Sequence, residues 1–143
     1  MFANFHNGAN IQIVPGIRHL NGTCVDADNC NYERITLCAF DGQTLSVQSS
    51  FLECMDAPWY KELTWKKPKT CADKLNLDFH TIMGCYNGTR GDTLEKKAIA
   101  AFTSQFPKPV YMPQVAVNGK VVSADYPHIK AAACAAGSSS SVC

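Results

Sequence analysis

The chain has 143 residues, of which 46% are hydrophobic and 17% charged, and its net charge is +1. That composition folds, and the length suits a single domain able to bury roughly two-thirds of its unfolded surface. The near-neutral charge, with no basic run beyond Lys66-Lys67-Pro68-Lys69, argues against nucleic acid as a partner, and no apolar run approaches the ~20 residues of a membrane span.

In chain order, the opening MFANFHNGAN carries neither the basic nor the apolar region of an export signal. Ile11 to Val14 reads as a strand, ended by the turn dipeptide Pro15-Gly16. Asn21 to Asn31 is polar and reads as a loop, with Cys24 and Cys30 able to close a small surface lobe. From Tyr32 to about Gln105 the pattern is helical with short breaks. Tyr32 to Phe40 places Ile35, Leu37 and Cys38 near one face, and Asp41-Gly42 ends it. Gln43 to Met55 follows, with Leu45, Leu52 and Met55 on a face flanked by Val47 and Phe51. Pro58 and Pro68 bracket Trp59, Tyr60, Leu63 and Trp65, aromatics better suited to helix packing than to a ligand patch. Thr70 is expected to cap a short helix to Leu75, and Asp78 another from Phe79 to Tyr86.

Thr89 to Gln105 is the clearest helix. Asp92 and Glu95 resemble a capping box, and Leu94, Ala98, Ala101, Phe102 and Phe106 recur along one side. Pro107 and Pro109 stop it. Val110 to Val122, VYMPQVAVNGKVV, then predicts a hairpin, because Asn118-Gly119 supplies the positive φ that a type I′ turn needs at both central residues. Pro113 cannot donate to a ladder and so belongs at the strand's beginning. Ala124 to Ala136 reads as a terminal helix with Asp125 as cap, Pro127 in the first turn, and Ile129, Ala133 and Cys134 inward. Gly137 ends it, and Ser138 to Ser141 lead Cys143 back towards Cys134.

The order is strand, helical block, long helix, hairpin, helix. It predicts an α/β, thioredoxin-like fold in one domain over 1–143, with a helical insertion at about 32–88 and without the first strand and the active-site helix.

Eight cysteines, Cys24, Cys30, Cys38, Cys54, Cys71, Cys85, Cys134 and Cys143, imply a disulfide framework in an oxidising compartment. The sequons Asn21-Gly22-Thr23 and Asn87-Gly88-Thr89 make Asn21 and Asn87 candidate glycosylation sites and point the same way. Eight cysteines allow roughly a hundred connectivities. Local loops and the helical block favour Cys24–Cys30, Cys54–Cys71, Cys38–Cys85 and Cys134–Cys143. Cys24, Cys30, Cys38 and His19 lack the short spacing of a zinc knuckle, and Asp26 and Asp28 lack the glycine and glutamate of a calcium loop. No metal or cofactor is expected. His6, His19, His80 and His128 are scattered and read as surface or capping residues.

From Ile11 to Cys143 the sequence resembles the gamma-interferon-inducible lysosomal thiol reductase family. Tyr111-Met112-Pro113-Gln114-Val115-Ala116-Val117-Asn118-Gly119-Lys120 resembles that family's proline-led, valine-rich hairpin. Thr81-Ile82-Met83-Gly84-Cys85, followed by Gly88, Arg90 and Gly91, resembles its helix-ending Ile-Met-x-Cys and glycine-rich segment. Phe51-Leu52-Glu53-Cys54-Met55, Cys71, Cys134 and Cys143 fall in the family's order, and Cys30 and Cys38 match the last part of its signature. The signature's Cys-Gln-His-Gly opening is replaced by Cys24-Val25-Asp26-Ala27, and no two cysteines have the Cys-x-x-Cys spacing of the family's active site.

The resemblance implies a thiol-disulfide oxidoreductase acting on disulfides of protein substrates in an acidic lysosomal, lumenal or extracellular compartment of the secretory pathway. Met112 and Pro113 would form its substrate-binding loop. Such an enzyme needs a thiolate at a helix N-terminus and a second thiol to resolve the mixed disulfide. The chain as given has no catalytic residue of that kind and is expected to be inactive unless such a pair lies upstream of Met1. The alternative is a non-catalytic, secreted, disulfide-stabilised binding module on the same scaffold.

Overall fold

Hydrogen-bonded caps and left-handed stops punctuate a chain that is mostly helical. The computed structural model describes residues 8–20, 23–25, 29–57, 65–106 and 112–143. Their elements are β1 (His19–Leu20), β2 (Thr23–Cys24), α1 (Asn31–Phe40), α2 (Leu45–Asp56), α3 (Lys66–Lys74), α4 (Phe79–Asn87), α5 (Thr89–Gln105), β3 (Val115–Val117), β4 (Lys120–Val122) and α6 (Tyr126–Ala135). The architecture is mixed α/β with two small antiparallel sheets, β1-β2 and β3-β4. Backbone contacts divide the chain into two compact units, residues 13–102 and residues 1–12 with 103–143, the division falling within α5.

In the unit of residues 13–102, α1 packs against α2, α3 and α4, and α3 against α2 and α4. Its core joins Ile35, Cys38, Ala39 and Phe40 of α1 to Phe51 and Met55 of α2, Cys71 and Ala72 of α3 and Ile82 of α4. Phe40 meets Phe51 edge to face at 6.4 Å, an arrangement that adds to their area burial. A second cluster of Ile17, Cys30 and Ala98 is covered by Val14, Cys24, Leu37 and Ile99. Leu37 thus serves a different cluster from Ile35 and Cys38, because it projects from a different side of α1. Ala101, expected inward, is exposed.

Local chemistry sets the helix ends. Thr44 accepts from the Val47 N–H and Asp78 from the His80 N–H, each satisfying a donor the helix leaves open. At the end of α3, Asn76 adopts φ +55, the Leu77 N–H reaches Ala72 O and the Asn76 N–H reaches Asp73 O. This is a Schellman motif closed by Asn rather than Gly.

In the unit containing residues 103–143, β3 and β4 pair in the register Val115↔Val122, Ala116↔Val121, Val117↔Lys120. Asn118 and Gly119 take φ +47 and +76, as the Asn-Gly hairpin predicts. Helix α6 packs on both strands and buries Ile129. Asp125 caps it by accepting from the His128 N–H, with Pro127 in the first turn. Gly137 at φ +88 ends it in a second Schellman motif, Ser138 N–H to Ala133 O and Gly137 N–H to Cys134 O. Ser138 Oγ also donates to Gly8 O, and a side chain at Gly8 would strike the Ser140 backbone.

Several expectations are corrected. Ile11 to Val14 is not a strand; Ile13 and Val14 instead pack against the helical clusters. Cys24 lies in a strand rather than a loop, since β1 and β2 pair through His19↔Cys24 and Leu20↔Thr23. Helix α3 begins at Lys66, four residues before the expected cap; Thr70 is internal and its hydroxyl donates to Lys66 O. Pro68 sits in that first turn, where a missing N–H costs nothing. Pro58, Trp59, Tyr60, Leu63, Pro107, Pro109 and Tyr111 lie outside the described residues.

Candidate functional site

The substrate-facing residues expected from the sequence, Met112 and Pro113, directly precede the Gln114 that leads into β3. Their peptide bond is cis, both residues are exposed, and Met112 retains 42% of its surface. Among the described residues of this unit, Val121 of β4 and Tyr126 of α6 are the other exposed large apolar side chains, at 54% and 38%. Gln105, the last residue of α5, donates from Nε2 to Gly119 O at 3.1 Å and so holds the hairpin turn.

All eight cysteines are oxidised, in the pairs Cys24–Cys30, Cys38–Cys85, Cys54–Cys71 and Cys134–Cys143, the four favoured by the local loops and the helical block. Their Cα–Cα separations of 5.9, 5.8, 5.8 and 5.3 Å lie in the ordinary range. Cys38–Cys85 staples α1 to α4, and Cys54–Cys71 staples α2 to α3. Cys24–Cys30 joins β2 to the N-cap of α1, where Cys30 is buried at φ +58. Cys134–Cys143 closes the C-terminal tail on α6. Chemically, no cysteine here is available as an attacking thiolate while these bonds are intact.

A polar constellation of described residues around Arg34 is not apparent from the sequence. Arg34 of α1 donates from Nε to Tyr86 O at 2.8 Å, from Nη1 to Glu95 Oε2 at 2.8 Å, and from Nη2 to Asp92 Oδ1 at 2.7 Å and Gly88 O at 3.4 Å. Its guanidinium also lies 5.4 Å from the centroid of the Tyr86 ring. Burial disfavours the charged form, but the hydrogen bonds and charges of Asp92 and Glu95 outweigh it, and the Arg34 pKa is raised. Asp92 and Glu95 therefore bind Arg34 in place of the expected capping box. The signal was their spacing of three on one helix face, which marks a carboxylate pair without naming its partner. His19 Nε2 lies 3.9 Å from the other Glu95 oxygen.

Tyr86 completes the neighbourhood. Its hydroxyl donates to Asn31 Oδ1 at 2.6 Å, and the Trp65 ring meets it edge-on at 4.9 Å, so Trp65 packs between helices although 45% exposed. Nearby, Arg90 forms a bidentate pair with Asp41, whose carboxyl the Arg90 hydrogen bonds hold below the ordinary carboxylate value.

Asn87 ends α4 and is exposed, as is Thr89 at the start of α5; Asn21, Asp26, Asp28 and His6 lie outside the described residues. His80 and His128 are exposed at helix starts, where His128 Nδ1 lies 2.7 Å from Asp125 Oδ1. Among the described residues no group of three or more His, Cys, Asp or Glu side chains is placed to hold a metal ion, and no helix is long and apolar enough to cross a membrane. No family model, no curated protein and no solved structure matches the chain.

Proposed function

We propose that the chain is a thioredoxin-like scaffold of the thiol-disulfide oxidoreductase type, resembling gamma-interferon-inducible lysosomal thiol reductases. Met112-Pro113 meets the backbone of a disulfide-containing protein substrate, in an acidic lumenal or extracellular compartment. The observation that carries this reading is the exposed Met112-Pro113 pair immediately ahead of the β3-β4 hairpin. A proline there leaves no N–H to compete with a substrate strand, and the hairpin fixes its position. The four disulfides support an oxidising compartment.

The full oxidation of all eight cysteines favours a second reading, a secreted binding module that keeps the loop and dispenses with redox chemistry. Two measurements separate them. The sequence upstream of Met1 encodes a Cys-x-x-Cys pair within roughly 60 residues under the first reading, and an in-frame stop under the second. The 143-residue chain alone is expected to leave an insulin-type disulfide intact at acidic pH. Turnover that persists after Cys24 and Cys30 are replaced would contradict the structural role given to the remaining cysteines.

A further inference from the structure

We propose that Asn87 is an N-linked glycan acceptor, carrying an oligosaccharide at the joint between α4 and α5. The motif Asn87-Gly88-Thr89 has the required hydroxyl two residues after the amide and no proline between. What the structure adds is a division of labour within the motif. Gly88 has a packing reason to be there: a Cβ at this position would lie 2.9 Å from Gly84 O, and Gly88 O accepts from Arg34. Asn87 and Thr89 have none. Both are exposed, and neither side chain forms a hydrogen bond to a described residue.

The surroundings suit a bulky substituent. Gly84 lies three residues before Asn87 on the same face of α4, is itself exposed, and has nothing within 4 Å of where its Cβ would stand. Among the described residues nothing stands over that point of the helix surface. Four disulfides suit an oxidising compartment, the kind in which sugar transfer to asparagine occurs.

The step is a transfer without redox change. Asn87 Nδ2 forms a bond to C1 of an oligosaccharide held as a lipid diphosphate. The C1–O bond to phosphate breaks, the lipid diphosphate leaves with the electron pair, and the amide gives up one proton. The proposal rests on the lumenal part of the functional reading and not on its thiol chemistry.

The test expresses the full chain behind a cleavable export leader in eukaryotic cells. Peptide N-glycosidase in heavy-oxygen water then marks each former acceptor as labelled aspartate, read by mass in the tryptic peptide 75–90. The label is expected at residue 87 in the wild type, retained in Asn21→Gln and Thr89→Ser, and lost in Thr89→Ala and Asn87→Gln. Chains held inside the cell are mapped in the same way, so a secretion defect does not hide the result. An unmodified Asn87 in the wild type, or a label that survives Thr89→Ala, overturns the proposal. Because the leader forces passage through the lumen, that failure would leave the disulfide-reduction reading to its own assay.

Discussion

Arg34 Nη1 donates to Glu95 Oε2 at 2.8 Å, tying α1 to α5 across 61 positions of sequence. The same guanidinium holds Asp92 and the carbonyls of Tyr86 and Gly88, so one planar donor set organises the α4–α5 joint. A lysine has neither the reach nor the geometry to serve four acceptors. Arg34→Lys is expected to cost about 1–3 kcal/mol, and Arg34→Met about 3 kcal/mol because it strands a partly buried carboxylate. Urea midpoints at neutral pH measure both; midpoints equal to wild type would dismiss the role assigned to Arg34.

The Asp41–Arg90 pair gives a pH signature. Asp41 has a lowered pKa in the folded chain, chiefly through its hydrogen bonds from Arg90. A carboxylate depressed by folding stabilises above its unfolded value of about 4. That contribution falls away as the pH drops through the folded value. The stability difference between wild type and Asp41→Asn is therefore expected to be constant near neutrality and to shrink below about pH 4. Thermal unfolding of both proteins across that range is the measurement; a difference that grows towards low pH contradicts the pairing.

The four disulfides close loops of very different length, 47, 17, 9 and 6 positions apart for Cys38–Cys85, Cys54–Cys71, Cys134–Cys143 and Cys24–Cys30. If the bonds act by restricting the unfolded chain, paired alanine replacements should cost about 4, 3, 2.6 and 2 kcal/mol in that order. Guanidinium unfolding of the four double variants tests the ranking. A larger loss for Cys24–Cys30 than for Cys38–Cys85 would place its contribution in the native packing around buried Cys30.

Two glycines should respond with opposite signs. A Cβ at Gly91 would stand 2.7 Å from Cys85 O and 2.9 Å from Arg34 Nη2, whereas one at Gly84 meets nothing within 4 Å. Gly91→Ala is expected to destabilise by about 1–3 kcal/mol, since either a backbone carbonyl or the Arg34 network must shift. Gly84→Ala is expected to stabilise by about 0.5–1 kcal/mol through reduced unfolded-state entropy within a helix. Calorimetry of the two variants decides.

Where a residue's local chemistry suffices, the chain was legible. Asp78 and Asp125 as caps, Asn118-Gly119 as a type I′ turn, and Gly137 as a helix stop are each settled by a few neighbouring atoms. Thr70 misled because Pro68 reads as a breaker, yet it occupies a first turn that needs no N–H. Ile11 to Val14 misled because Ile13 and Val14 serve helix packing rather than a ladder.

The cysteine pairs were within reach because short loops and adjoining helices limit which sulfurs can meet. The Arg34 constellation was not, for the opposite reason: Asp92 and Glu95 would look the same on any solvated helix face. By itself, then, the sequence determined the helices, the hairpin with its leading proline, and the oxidised character of the chain. Only the tertiary structure decided which charges pair and which residues of the Asn87-Gly88-Thr89 motif stay unused. Backbone periodicity and turn chemistry act over a few residues, whereas partners 52 to 61 positions apart are chosen by how helices pack.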